Sequence, residues 1–172
     1  MTSTPTIKAI TLRPLTLDDA IHYERLLGTD SAAIQMTATL PDPCTKAGAR
    51  AWIEPRLNRG ERLFAIVTTP GQEVVGALGL IDQSDNTFVL GYWIGRIYSG
   101  QGYATEAVRQ AIELARSWHA KKLRADTFPE NVASGRVLTK SGFLFTGATM
   151  QNFPLRGGLR TNYQYELRLE ES

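Results

Sequence analysis

A glycine-rich segment holds the residues whose types and spacing most directly suggest chemistry. Gly100 and Gly102 belong to the run SGQGYAT at 99–105, between a predicted strand and a predicted helix. Glycines allow the backbone to approach a ligand closely, and the first turn of a helix offers unpaired N–H groups at the positive end of its dipole. The segment therefore predicts an anion-binding site, for which a diphosphate is the natural occupant.

Two common nucleotide-binding motifs fit this segment poorly. Thr105 stands where the Rossmann fingerprint has its third glycine or alanine, although Asp126 lies about where a ribose-binding acid would. A Rossmann unit also belongs to a parallel sheet, whereas a predicted hairpin meander precedes this segment. No GKS or GKT follows, which excludes a P-loop. A nicotinamide-dependent enzyme remains a minor alternative.

The residue types that usually bind metals or act as nucleophiles are scarce. Cys44 is the single cysteine, follows a proline in a predicted loop, and has no indicated base partner. His22 and His119 are far apart and fall on predicted helices, as surface or packing residues. A zinc site of CxxC type is excluded, and we expect neither a metal centre nor a cysteine nucleophile.

Composition limits the class of protein. The chain has 172 residues with no repeat or Gly/Ser linker, so we expect one domain over 1–172. Nineteen Lys and Arg against 17 Asp and Glu give a charge of +2, too small to indicate a nucleic-acid partner. The first eight residues lack the apolar core of a signal peptide, and no apolar run is long enough to span a membrane. We expect a cytoplasmic protein without a membrane partner.

The elements before the glycine-rich segment are predicted from periodicity and turn residues. Pro55 argues against an unbroken helix in its region, because proline removes a backbone bond and clashes with the preceding turn. Three successive strands joined by short turns predict an antiparallel meander. The predicted elements are a strand at 7–13, a helix from Thr16 or Asp18 to about Gly28, a loop at 29–43, a helix at 45–58, and strands at 62–68, 74–81 and 87–94.

The clearest helix of the chain follows the glycine-rich segment. Its apolar residues recur at i, i+4, i+7, i+8 and i+11 and so share one face: Ala104, Val108, Ala111, Ile112 and Ala115. After it we predict a strand at 123–127, a helix at 131–141, and strands at 143–150 and 161–169 around a polar, glycine-containing loop.

Several segments resemble a known family. The runs LGYWIG at 90–95 and GQGYATEA at 100–107 resemble the acetyl-CoA-binding core of the GNAT N-acetyltransferases. PENVAS at 129–134 and VLTKSGF at 137–143 are similar to the N-x-x-S…L-x-K-x-G-F signature of the RimJ/RimL branch, the ribosomal-protein alanine N-acetyltransferases. LRPL at 12–15 resembles the opening strand of that branch. The similarity extends from about residue 7 to residue 169.

The resemblance implies a fold and a cosubstrate. The fold is of the α/β (α+β) class: a mixed, mostly antiparallel sheet flanked by helices and splayed open between strands 4 and 5, here 87–94 and 123–127. The pantetheine arm of acetyl-CoA would lie in the gap and pair with the backbone near Trp93 and Ile94. The pyrophosphate would rest on amides of Gly100, Gln101, Gly102, Tyr103, Ala104 and Thr105.

The resemblance also implies a mechanism. A primary amine, either a protein N-terminal α-amine or a small molecule, would attack the thioester directly in a ternary complex. Asn131 would hydrogen-bond the pantetheine, and Ser134 would donate to the leaving thiolate. The N–H near Ile94 would stabilise the oxyanion. The leaving thiol has a pKa of roughly 8.5, so help from an acid is useful but modest.

Three positions depart from the family pattern. Ser99 stands where arginine or glutamine often begins the phosphate loop, and Leu138 where a tyrosine is common. Val89 stands where a glutamate often serves as a water-mediated base, so the base is unassigned: an acid elsewhere, a water chain, or the neutral fraction of the amine. This vacancy keeps open a second function, a non-catalytic acyl-CoA-binding sensor or partner-binding module of the same fold.

Some side chains have two interpretations at this stage. Tyr92 and Trp93 are expected to pack on the sheet faces, and Tyr103 either packs under the loop or touches the cosubstrate. The loop holding Arg156 and Arg160 is either a solvated turn or a contact for an acidic acceptor. An exposed edge of the last strand allows either a monomer or a homodimer.

Overall fold

The structure is a computed structural model that describes residues 9–169 and contains one seven-stranded sheet. The strands are β1 (Ile10–Pro14), β2 (Arg62–Thr68), β3 (Val74–Asp82), β4 (Thr87–Ile94), β5 (Lys122–Thr127), β6 (Leu144–Phe153) and β7 (Gly158–Arg168). The helices are α1 (Ala20–Leu26), α2 (Ser31–Ile34), α3 (Lys46–Asn58), α4 (Tyr103–Ser117) and α5 (Val132–Lys140). The strand order is β1-β2-β3-β4-β5-β7-β6.

The pairing of β4 with β5 is the feature that opens the sheet. All other neighbouring strands are antiparallel, but β4 and β5 are parallel and pair only from Thr87 with Lys122 to Leu90 with Ala125. The last four residues of β4, 91–94, have no partner on β5. The predicted mixed sheet, splayed between its fourth and fifth strands, is therefore confirmed.

Helices cover both faces of the sheet and form two apolar cores. On one face α4 buries the stripe that its spacing predicts, except that Ala104 is only half-buried. On the other face α1 and α3 bury Tyr23, Ala49 and Ile53 against β2 and β3. The end of β4 contributes to both cores, since Tyr92 and Ile94 pack against the first and Trp93 against the second.

The N-terminal half differs from prediction in three places. Residues 7 and 8 of the predicted first strand lie outside the described residues. The predicted helix from Thr16 begins with a single 3-10 turn, and the α-helix proper starts at Ala20. The predicted loop 29–43 contains α2, whose four residues are too few to show a periodicity. Pro55 lies inside α3 without ending it, and the helix continues to Asn58.

The C-terminal half differs in the length of its strands. The predicted loop between the last two strands shrinks to a turn at 154–157, because β6 continues to Phe153 and β7 begins at Gly158. The exposed edge belongs to β6 and not, as expected, to the last strand. His119 lies just beyond α4 with a φ of +60°, not on the helix.

Two kinds of structural feature are absent from the described part of the chain. Within residues 9–169 there is no helix with the length and apolar character needed to cross a bilayer. The same stretch has no group of three or more His, Cys, Asp or Glu side chains arranged to hold a metal ion.

Candidate functional site

The separation of β4 from β5 creates a cleft of about 440 Å³ between β4, the start of α4 and α5. Nine of the ten predicted site residues line it: Trp93, Ile94, Gly100, Gly102, Tyr103, Ala104, Thr105, Asn131 and Ser134. Gln101 does not line the cleft, and its side-chain amide donates to the Ile97 carbonyl at 3.4 Å. The structure thus brings residues from three distant segments to one cavity.

The backbone of β4 supplies a free hydrogen-bond donor at the cleft. The N–H of Gly95 donates to the Val75 carbonyl of β3 at 2.9 Å. Successive amides of an extended strand point to opposite sides, so the N–H of Ile94 points away from β3. The pairing with β5 has already ended at Leu90, which leaves this N–H directed into the gap.

The glycine-rich segment forms the N-terminal end of α4. Gly100 has a φ of +73° and Gly102, the residue preceding the helix, a φ of +88°, so both adopt the left-handed conformation that favours glycine. The first amides of α4, at Tyr103, Ala104 and Thr105, have no acceptor within the helix. The arrangement predicted from the sequence is present: donors at a positive helix end, open to the cleft.

A hydrogen-bonded pair stands where the cleft meets the sheet. The hydroxyls of Tyr92 and Ser134 lie 2.9 Å apart. Asn131 fixes the position of Ser134, because its Oδ1 accepts the Ser134 N–H at 3.3 Å and caps α5. Burial raises the pKa of Tyr92 to about 12, so the phenol stays protonated at neutral pH. Tyr92 was expected only as a sheet-face residue, since its partner is 42 positions away in the sequence.

Comparison with known proteins agrees with this geometry. A family profile described as an acetyltransferase (GNAT) domain matches residues 9–144. The chain is 30% identical over 162 residues to the probable N-acetyltransferase YjcK of Bacillus subtilis, covering 87% of this chain and 88% of that one. The chain belongs to the GNAT acetyltransferase family.

Solved structures show the same fold at low sequence identity. A putative ribosomal-protein-serine acetyltransferase from Vibrio cholerae superposes with a TM-score of 0.79, at 23% identity, over 97% of this chain and 100% of that one. The spermidine N-acetyltransferase from Vibrio cholerae, in complex with CoA and spermine, superposes with a TM-score of 0.77, at 16% identity, over 92% and 95%. The overall fold is therefore shared with these proteins.

A second cavity, of about 280 Å³, adjoins the cleft and shares Tyr92, Asn131 and Ser134 with it. We call it the polar cavity. Val89, at the position where a family glutamate is often found, lines it and brings no carboxylate. Asp126, at the end of β5, lines it as well.

Asp126 lies on the same face of the sheet as Val89. Val89 is paired in register with Arg124, and residues two apart on a strand share a face. The nearest cation to the Asp126 carboxylate within the described residues is Arg124 at 3.8 Å, which is longer than a hydrogen bond. A weakly held carboxylate thus faces the polar cavity from the neighbouring strand.

Two arginines near the end of β6 behave differently from expectation. Arg156 is only 7% exposed and donates to the carbonyls of Ile34, Thr37 and Leu40 at 3.0, 2.8 and 2.7 Å. Neither of the two alternatives, a solvated turn or a contact for an acidic acceptor, describes Arg156: it holds the segment after α2. Arg160 pairs with Glu130 at 3.0 Å.

Sequence reasoning missed two further cations at the cleft. Arg136 and Lys140 lie four residues apart on α5, share a face, and line the cleft opposite α4. Their spacing was a usable signal, since two cations at i and i+4 beside an anion site add favourable charge.

The residue at the usual tyrosine position, Leu138, is fully buried and faces the core. Burial also raises the pKa of Cys44 to about 11, which leaves little thiolate at neutral pH.

Proposed function

We propose that this GNAT protein transfers the acetyl group of acetyl-CoA to a primary amine by direct attack in a ternary complex. The observation that carries the proposal is the cleft itself, where a free strand amide, an open helix end and the Tyr92–Ser134 pair converge. Resemblance to the RimJ/RimL branch supports a protein N-terminal α-amine as acceptor. The likeness to a spermidine acetyltransferase supports a small molecule, so the acceptor test includes both.

The residues of the cleft fit the parts of acetyl-CoA in order. The pantetheine arm pairs with the end of β4 in the gap and meets Asn131. The pyrophosphate accepts from the first amides of α4, where the helix dipole favours negative charge. Arg136 and Lys140 add positive charge on the facing helix. This placement puts the thioester beside Ile94 and Ser134.

The chemistry follows from what each group can do. The acceptor nitrogen attacks the thioester carbonyl, and the Ile94 N–H stabilises the oxyanion as it forms. The C–S bond then breaks and the thiolate accepts a hydrogen bond from Ser134, which Tyr92 supports. A thiol pKa of roughly 8.5 lies well below that of either hydroxyl, so the pair donates hydrogen bonds and keeps its protons.

Asp126 is the proton acceptor that we propose for the amine. Among the described residues that line the polar cavity, Asp126 is the one that carries a carboxylate, and Tyr92 and Ser134 line the same cavity. The carboxylate attracts the ammonium form of the acceptor and takes one proton from it, directly or through a water, so that the neutral amine can attack the thioester. The second proton leaves the nitrogen for solvent water after the C–N bond has formed. A carboxylate from β5 would thus serve in place of the glutamate that is absent at Val89.

Ligand-dependent thermal unfolding followed by a thiol-release assay tests the function. Acetyl-CoA and CoA are expected to raise the Tm, whereas NAD(P) does not, because a ligand that binds only the folded state stabilises it by mass action. Thiol release is then measured with peptides bearing free N-termini, polyamines and amino acids. Stabilisation by acetyl-CoA without release from any amine class would contradict transfer, and no stabilisation by any acyl-CoA would contradict the cleft assignment.

Removing the hydroxyls of the Tyr92–Ser134 pair tests the thiolate step. Ser134→Ala is expected to lower kcat by about ten- to a hundredfold, since a hydrogen bond to a charged group contributes about 1.5–3 kcal/mol. Tyr92→Phe lowers it less. The double variant is expected to lose little more than Ser134→Ala, because the two groups act as one chain. Additive losses in kcat would show that the two hydroxyls act independently.

Filling the helix end with a side chain tests the phosphate site. Gly102→Val is expected to raise the KM for acetyl-CoA at least tenfold, because a Cβ there meets no protein atom within 4 Å and would stand in the cleft. Gly60→Val is the matched control: Gly60 has a φ of +80° and equally open space, but does not line the cleft. Both variants bear the same backbone strain, of about 1–3 kcal/mol. Equal KM values in the two variants would contradict the assignment.

A further inference from the structure

A further cavity, of about 360 Å³, lies on the face of the sheet that α3 covers, and we call it the aromatic pocket. Its floor is formed where Gly79 of β3 and Gly91 of β4 face each other in register. A Cβ added at Gly91 would meet no atom within 4 Å, so the space above β4 stays open there, whereas Leu63 packs over Gly79. The walls include Tyr23, Trp52 and Trp93.

The aromatic pocket adjoins the place where the acetyl group would be transferred. Tyr92 and Trp93 line both this pocket and the cleft, while Ala38, Gly91 and Tyr92 line both this pocket and the polar cavity. An amine that attacks beside Tyr92 can therefore extend its remaining atoms over Gly91 into the aromatic pocket.

Arg56 gives the aromatic pocket its charge. Its guanidinium stacks on the Trp52 ring at 3.9 Å and donates to the Trp52 carbonyl at 2.8 Å. No carboxylate within residues 9–169 forms an ion pair with it. Arg59 and Glu61, which also line the pocket, bind each other at 2.7 Å. The lining therefore carries a net charge of +1, which comes from the half-buried guanidinium of Arg56.

We propose that the aromatic pocket binds the body of the acceptor, and that the acceptor is an amine with a planar apolar group and an anionic group. This inference rests on the proposed function and names its acceptor class. Aromatic walls favour a flat apolar group. A half-buried guanidinium without a carboxylate favours an anion, which it can bind in a fork geometry. Polyamines are excluded as preferred acceptors by the same charge.

Binding of an aromatic acid that lacks an amine tests the pocket without acetyl transfer. The probe is 3-phenylpropionate, titrated calorimetrically into the protein saturated with CoA, and the reference is 3-phenylpropanamide. The acid is expected to bind at least tenfold more tightly than the amide, because a charge-assisted hydrogen bond is lost in the amide. Arg56→Gln is expected to abolish this preference, whereas Arg50→Gln, exposed on the same helix and outside the pocket, keeps it.

A second variant fills the pocket from its floor. A Cβ at Gly91 meets no atom within 4 Å, and valine suits a strand, so Gly91→Val is expected to fold and to lose binding of 3-phenylpropionate. An equal affinity for the acid and the amide, or unchanged binding in Gly91→Val, would overturn the inference. Thiol release from amines that 3-phenylpropionate does not inhibit would overturn it too, while leaving the acetyltransferase function intact.

Discussion

Replacing Asp126 by asparagine is expected to lower kcat/KM for the amine acceptor about a hundredfold near pH 7. Removing a positioned general base typically costs 10²–10⁴ in rate. Asparagine keeps the size of the side chain but neither attracts an ammonium nor takes its proton. Steady-state thiol release with acceptor below its KM measures the effect, and the KM for acetyl-CoA should change little.

The pH dependence of the Asp126→Asn variant tests the role of Asp126 as proton acceptor more specifically than the rate at a single pH. Without the carboxylate, the reaction uses only amine that is already neutral, and this fraction rises tenfold per pH unit below the pKa of the amine. The deficit is therefore expected to be largest at low pH and to close towards roughly pH 8 for an α-amine. Glu166→Gln is the matched control, since Glu166 lies on the same sheet face, binds Lys122 at 3.5 Å, and does not line the polar cavity. A deficit of the same size at every pH would contradict the role of Asp126.

Replacing Arg156 by methionine is expected to destabilise the fold by about 3 kcal/mol, the size of hydrogen bonds to a buried charged group. Three backbone carbonyls lose their hydrogen-bond donor, because methionine fills the space of the arginine side chain but offers no N–H group. For a chain of this length the expected fall in Tm is about 6–12 °C. Thermal unfolding by circular dichroism measures it.

Arg160→Met provides the comparison for Arg156→Met. Arg160 forms a partly exposed ion pair with Glu130, and such pairs contribute at most about 1 kcal/mol. Similar Tm values for the two variants would show that the buried contacts of Arg156 do not hold the 34–40 segment. Because Ala38 of this segment lines the polar cavity and the aromatic pocket but not the cleft, Arg156→Met should also raise the KM for the acceptor more than that for acetyl-CoA.

The elements that position the donor were predictable because each has a strong local pattern. The apolar stripe of α4, the β-branched and aromatic residues of β4, and Gly100 and Gly102 are all visible without tertiary information. β6 was cut short in the prediction, since nearly all its residues are exposed and no alternation marks its end. The fold was therefore most predictable where one face is buried.

The acceptor side was less predictable because its residues acquire a role only through strand register. Asp126 was noted in the sequence as a ribose-binding acid, and its place beside Val89 emerges only when β5 is aligned with β4. Arg156 finds its carbonyl partners more than 110 residues away. No local pattern distinguishes such a side chain from a solvated one.

The early end of the pairing between β4 and β5 leaves backbone amides in the middle of the sheet without a strand partner. Regions with fewer protected amides open locally at a lower free energy than the whole fold, and their amide hydrogens exchange faster. The amide of Ile94 should therefore exchange quickly in the free protein and slowly once acetyl-CoA takes the place of the missing strand. The central sheet thus lacks strand pairing at the proposed binding site, and bound acetyl-CoA is expected to supply the missing hydrogen-bond partners.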